Sequence, residues 1–130
     1  MIDWRALAVV GLGAALGGML RLLVTQAVVA RAGAGYAHYA TMFINVSGSF
    51  CIGIIIEIAQ TRSELSPLWR YFIATGILGG FTTFSTFSFE ALSLMGGGLA
   101  GSAAFYVVGS VALGIVAAFF GIATARALVH

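Results

Sequence analysis

Three stretches of this sequence carry polar side chains at spacings that would set them on helix faces. In TMFINVSGSFCIG, Thr41, Asn45 and Ser49 recur every fourth residue and share one face of a helix. In GGFTTFSTFSFE, which runs from Gly79 to Glu90, Thr83, Thr86 and Glu90 form one helical stripe, and Phe84 and Phe87 form the stripe beside it. Further on, Tyr106 and Ser110 stand again at i and i+4, with Gly114 continuing the face. An asparagine amide and a set of hydroxyls can replace the water around a small ion. Phenyl rings have electron-poor edges, so rings turned edge-on beside such donors could stabilise a desolvated anion. They would do so without a fixed positive charge, which would hold the ion too tightly to release it. Each stripe also has a plainer reading: asparagine and serine as interhelical glue, phenylalanines facing lipid, threonines bonded to backbone carbonyls. Spacing alone leaves both open.

Ionisable groups in apolar surroundings cost several kcal/mol by the common scales, so each asks for a reason. Arg21, in GGMLRLLV, either snorkels to an interface or serves anion attraction or subunit structure. Glu57 stands close enough to the end of its apolar run to read as interfacial. Glu90 lies deeper, with a structural or a functional role. Gly76, Gly79 and Gly80 crowd into five residues, and glycine in a helix interior costs about 1 kcal/mol. A helix break there, lining a cavity with freed backbone groups, is the expectation.

The elements that must position these residues follow from composition. Of 130 residues, 61% are hydrophobic and 8% charged, with mean hydropathy +1.08, whereas a soluble domain is about 25% charged. This is the composition of an all-α membrane protein. Four windows of about 20 apolar residues or more, near 5–29, 39–59, 68–95 and 99–125, read as spans of a single four-helix transmembrane domain. The first is too long for a signal peptide, is interrupted by Arg21, and has Asp3 where a basic region belongs. RAGAGYAH, QTRSELSP and MGGG make the turns, with Ser66 as N-cap and Pro67 at the first helical position. Trp4, Tyr36, Tyr39, Trp69 and Tyr71 fall near span ends as an aromatic belt does; Tyr106 does not. Small residues pair at helix-contact spacing: Gly13 with Gly17, Ser49 with Gly53, Gly97 with Gly101, Ser110 with Gly114. Such a small bundle has little room for an internal pore, so oligomerisation is expected.

Charge narrows the function classes. Net charge is +2 with no lysine, which leaves no basic patch for nucleic acid. Cys51 is the sole cysteine, and His38 and His130 are isolated, so neither a disulfide nor a cysteine or histidine metal site is expected. No ATP-binding loop or other energy-coupling motif occurs, and no enzymatic activity is expected. Arg5, Arg62, Arg70 and Arg126 fall on the side of the termini against Arg31 on the other, which favours cytoplasmic termini.

Taken together, GGMLR, TMFINVSGSFCIG and GGFTTFSTFSFE resemble the Fluc (CrcB) family of fluoride channels along essentially the whole chain. The resemblance implies a dual-topology, antiparallel homodimer in the inner or plasma membrane, with a third helix broken near its middle and two pores built from both chains. It implies Phe84 and Phe87 as ring-edge fluoride ligands, Asn45 as a pore-lining donor with Thr41 one turn before it, and Tyr106 and Ser110 as members of a polar track. It implies that the Gly79 and Thr82 carbonyls hold a structural sodium ion shared at the dimer interface. Arg21 resembles the family's membrane-embedded arginine and Glu90 its glutamate. The excess of arginine on one side is larger than equal insertion in both orientations would ideally have. A rival from another class is a small dual-topology, proton-coupled drug or guanidinium exporter. That chemistry needs a carboxylate deep in the membrane, typically in the first span, where this chain has Arg21.

Overall fold

The computed structural model describes residues 2–62 and 66–129. Ser63, Glu64 and Leu65 of the QTRSELSP turn, and His130, lie outside the described residues. Four helical stretches are long and apolar enough to cross a membrane: Trp4–Ala32, Ala34–Thr61, Pro67–Gly96 and Ala100–Val129. The first is one helix, α1 (Trp4–Ala32), whose N-cap Asp3 accepts hydrogen bonds from the Arg5 and Ala6 amides. It stops at Gly33, where φ is +99°. A 3₁₀ turn, Ala34–Tyr36, leads into α2 (Ala37–Thr61).

The third stretch is composite. Ser66 caps α3 (Pro67–Arg70) through the Leu68 amide, with Pro67 at the first position. A π-helical segment, Tyr71–Leu78, and a single turn, α4 (Gly79–Phe81), follow. Thr82 (φ −77°, ψ 156°) and Thr83 (φ −151°, ψ 122°) are extended, and α5 (Phe84–Gly96) begins after them. The glycines do something other than loosen this stretch. Helical geometry continues through Gly79 and Gly80, and gives way only at the two threonines. Gly76 and Gly80 are instead contact points with α1. A Cβ on Gly80 would meet the Ala14 backbone, one on Gly76 the Gly13 backbone, and one on Gly17 the Ile77 carbonyl. Two helices touching at backbone level have no space for side chains there.

α6 (Ala100–Val129) packs along α2. Their contacts advance in step: Met42 against Gly109, Ser49 against Gly114, Gly53 against the Ala118 carbonyl, Phe50's carbonyl against Gly121. The two helices therefore run in the same direction, and the stripe from Thr41 to Ser49 faces the stripe from Tyr106 to Gly114. Among the described residues Gly97 and Gly101 make no helix–helix contact of the kind their spacing suggests. Gly97 caps α5, Gly98 turns the chain with φ +76°, and Gly101 stands in open space.

One compact cluster joins α5 to α6: Phe87, Ala91 and Tyr106, with Met42, Leu94 and Val107 against it. Elsewhere large apolar side chains such as Leu12, Leu23, Phe105 and Phe119 face outward, as a lipid-facing surface does. Glu57 stands one turn from the end of α2, as its place near the end of the apolar run implies, but it is not turned outward. It is buried between α2 and α6, and its Oε1 accepts from Arg126 Nε at 3.0 Å.

Candidate functional site

The site grows from the interruption at Thr82 and Thr83. Asn45, part-buried on α2, meets Thr83 through both halves of its amide: Thr83 N–H donates to Asn45 Oδ1 at 2.8 Å, and Asn45 Nδ2 donates to the Thr83 carbonyl at 3.0 Å. The Thr83 hydroxyl caps α5. It accepts from the Thr86 amide and donates to Thr86 Oγ1 at 3.1 Å. The hydroxyl stripe Thr83–Thr86 is thus committed first to starting the helix that carries Phe84 and Phe87. Thr82 bonds back to Leu78 O through its hydroxyl at 2.8 Å.

Around this interruption lies an open-sided cavity of about 380 Å³. It gathers Asn45, Gly79, Thr82, Thr83, Phe84, Phe87 and Ser110 from three of the four spans, with Ser49 beside them. Ser110 Oγ is buried and has no hydrogen-bond partner among the described residues. An unpaired buried hydroxyl is costly, and one lining a cavity is poised to serve a guest. The Phe84 and Phe87 rings lie 5.7 Å apart, centre to centre. Phe87 is buried, whereas Phe84 is 80% exposed. Ile52, Ala74, Leu78 and Val111 are apolar parts of the wall. No sequence signal marks these four, since apolar residues in an apolar span carry no pattern of their own.

Thr41, Glu90 and Tyr106 are brought together at a second place, outside the cavity wall. Glu90 Oε2 accepts from the Tyr106 hydroxyl at 2.7 Å and Oε1 from Thr41 Oγ1 at 3.1 Å, so one carboxylate ties α5 to both α2 and α6. This is the position Tyr106 occupies instead of an interface: it is 1% exposed. The Phe87 ring, 5.2 Å from that of Tyr106, joins the two places. His38, isolated in sequence, lies edge-on to Tyr106 at 5.5 Å. Thr86 is exposed and lines neither place, because its side chain is turned to the Thr83 cap.

Arg21 reaches the interruption from α1, its Nη1 making a long 3.5 Å contact with the Thr82 carbonyl. The same carbonyl and that of Gly79 suit a hard cation. Thr82 N–H closes the last helical bond of α4 onto Leu78 O at 2.9 Å, and Thr83 N–H is taken by Asn45, so Gly79 O has lost its helical partner. Freed carbonyls at the C-terminal end of a half-helix are a sodium-type donor set.

Comparison with known proteins shows the family of the chain. The family described as CrcB-like protein, Camphor Resistance (CrcB), matches residues 8–122. A Rhizobium meliloti (strain 1021) protein named fluoride-specific ion channel FluC is 45% identical over 120 residues, covering 92% of this chain and 95% of that protein. Proteins of the same name from Methylobacterium sp. (strain 4-46) and Thermus thermophilus are 49% and 44% identical, covering 94% and 92% of this chain and 94% of each relative.

Proposed function

Because the chain belongs to the CrcB family, and the relatives it matches along nearly its whole length carry the name fluoride-specific ion channel, we propose that it is a fluoride channel. It is a multi-pass protein of the cell membrane and lets accumulated fluoride leave passively. An inside-negative potential favours exit of one anion by about 2.3 kcal/mol per 100 mV, so no energy-coupling chemistry is required. This is permeation and not catalysis.

The observation that carries the reading is the unpartnered Ser110 hydroxyl in the same cavity as Asn45, Phe84 and Phe87. Ser110 and the second Nδ2 hydrogen of Asn45 would replace water around fluoride. The two phenyl rings would add weak positive potential at their edges. Thr41 and Tyr106 extend the track toward Glu90, while Thr83 and Thr86 support it by fixing the start of α5. Phe84, exposed in the single chain, is where a second copy in the opposite orientation would close the path. The antiparallel homodimer and the broken third helix belong to this proposal. In it Gly79 and Thr82 would hold a structural sodium ion between the subunits. Arg21, in long contact with the Thr82 carbonyl, would be an electrostatic and structural support.

A proton-coupled exporter is the weaker reading, since the ionisable group of α1 inside the bundle is Arg21, not a carboxylate. Fluoride efflux from liposomes holding the purified protein, run beside chloride and with and without a pH gradient, tests the proposal. Fluoride-specific flux that ignores the pH gradient is expected. Proton-coupled flux, or none, would overturn it.

A further inference from the structure

We infer that Asn45 is a positioning residue for the cation site as well as a lining residue of the anion cavity: its amide keeps the Gly79 carbonyl free. The inference rests on the reading that Gly79 and Thr82 hold sodium. In an unbroken α-helix, Gly79 O would accept from the amide four residues on, which is Thr83 N–H. Here that N–H points to Asn45 Oδ1 at 2.8 Å, and the Thr83 carbonyl accepts from Asn45 Nδ2 at 3.0 Å. A primary amide offers one acceptor and two donors, so it can satisfy the N–H and the C=O of one extended residue as a neighbouring strand would. Thr83, at φ −151° and ψ 122°, has the strand-like backbone such pairing needs.

Without the amide, Thr83 would keep an unsatisfied N–H in apolar surroundings, and the nearest remedy is to resume the helix onto Gly79 O. The carbonyl would then be occupied by backbone. Asn45 spends its acceptor and one donor on this task and keeps its second Nδ2 hydrogen, which has no partner among the described residues and belongs to a side chain lining the cavity. A single side chain therefore links the two sites: the shape that frees an oxygen for a cation also presents a donor to an anion.

The test is the sodium dependence of thermal stability in the purified full-length protein in detergent, with sodium chloride exchanged for N-methyl-D-glucamine chloride at constant ionic strength. A ligand that binds only the folded state raises the melting temperature, here on the order of 5 °C with sodium at about tenfold its dissociation constant. Asn45→Leu removes both hydrogen bonds at similar volume and should abolish the sodium shift, whatever it does to the melting temperature without sodium. Asn45→Asp keeps an oxygen for Thr83 N–H and should retain the shift. An asparagine that merely glues helices would lower stability equally at every sodium level, so a full shift in Asn45→Leu overturns the inference. Should Asn45→Leu not assemble, Asn45→Ala takes its place, since it also removes the oxygen that accepts from Thr83 N–H: a lost sodium shift supports the role of the amide and a full one overturns it. Absence of a shift in the unmodified protein is a separate result, and removes the sodium reading itself.

Discussion

The Tyr106–Glu90 contact can be isolated by removing one oxygen atom. In Tyr106→Phe the ring keeps its places 5.2 Å from Phe87 and 5.5 Å from His38, and only the 2.7 Å hydrogen bond to Glu90 is lost. Neutral interhelical hydrogen bonds in membrane proteins contribute about 0.6 kcal/mol on average. Bonds to a charged acceptor are roughly twice as strong, which puts the Tyr106–Glu90 coupling at about 1–2 kcal/mol. The Thr41 bond to the same carboxylate is longer, 3.1 Å, and should contribute less. A double-mutant cycle of Tyr106→Phe with Glu90→Gln, followed by unfolding in mixed detergent micelles, measures the coupling. A value of about 1–2 kcal/mol, larger than that of Thr41→Val with Glu90→Gln, is expected. A coupling below about 0.3 kcal/mol, within the additivity error of independent sites, would refute the view that Glu90 ties α5 to its neighbours.

Other perturbations separate packing from permeation. Phe84→Ile changes a side chain that is 80% exposed in the chain, so the subunit should fold normally while fluoride efflux falls by about tenfold or more, about 1.4 kcal/mol of barrier. Ser110→Ala removes a buried hydroxyl with no partner among the described residues, so unfolding should show no loss of stability, whereas efflux should drop by roughly tenfold for one lost donor. Two adjacent glycines make a matched pair: Gly17→Ala drives a methyl into the Ile77 carbonyl and should destabilise by about 1–3 kcal/mol. Gly18→Ala meets nothing within 4 Å and should stabilise α1 by up to about 1 kcal/mol, both read by unfolding in micelles.

Legibility in the sequence differed by the range of the interaction. Spans were readable because hydropathy is a local property, and so were caps such as Ser66 with Pro67. The polar stripes were readable because i, i+4 spacing is fixed by helix geometry. Their partners were not, because contacts such as Thr41 with Glu90 or Glu57 with Arg126 depend on the register between helices, across separations of 49 and 69 residues. The glycines of the third span misled for a physical reason: the same residue serves flexibility or close approach, and only the neighbour decides. Gly76 and Gly80 face the α1 backbone, so the helix persists there and the interruption moves to Thr82 and Thr83, whose extended backbone is held by an asparagine 38 residues away. Tyr106 stands out in the sequence as an anomaly, a tyrosine deep in a span, whereas its pairing with a carboxylate on α5 does not announce itself.

The cavity lined by Asn45, Phe84, Phe87 and Ser110 is proposed to conduct fluoride, and its two rings can be removed together. The decisive experiment is ion efflux from liposomes, with the unmodified protein beside a Phe84→Ile, Phe87→Ile double variant shown to be assembled by its elution in detergent. Fluoride should leave without chloride in the first, and little of either should leave in the second. Undiminished fluoride efflux through the assembled double variant would contradict conduction along this cavity.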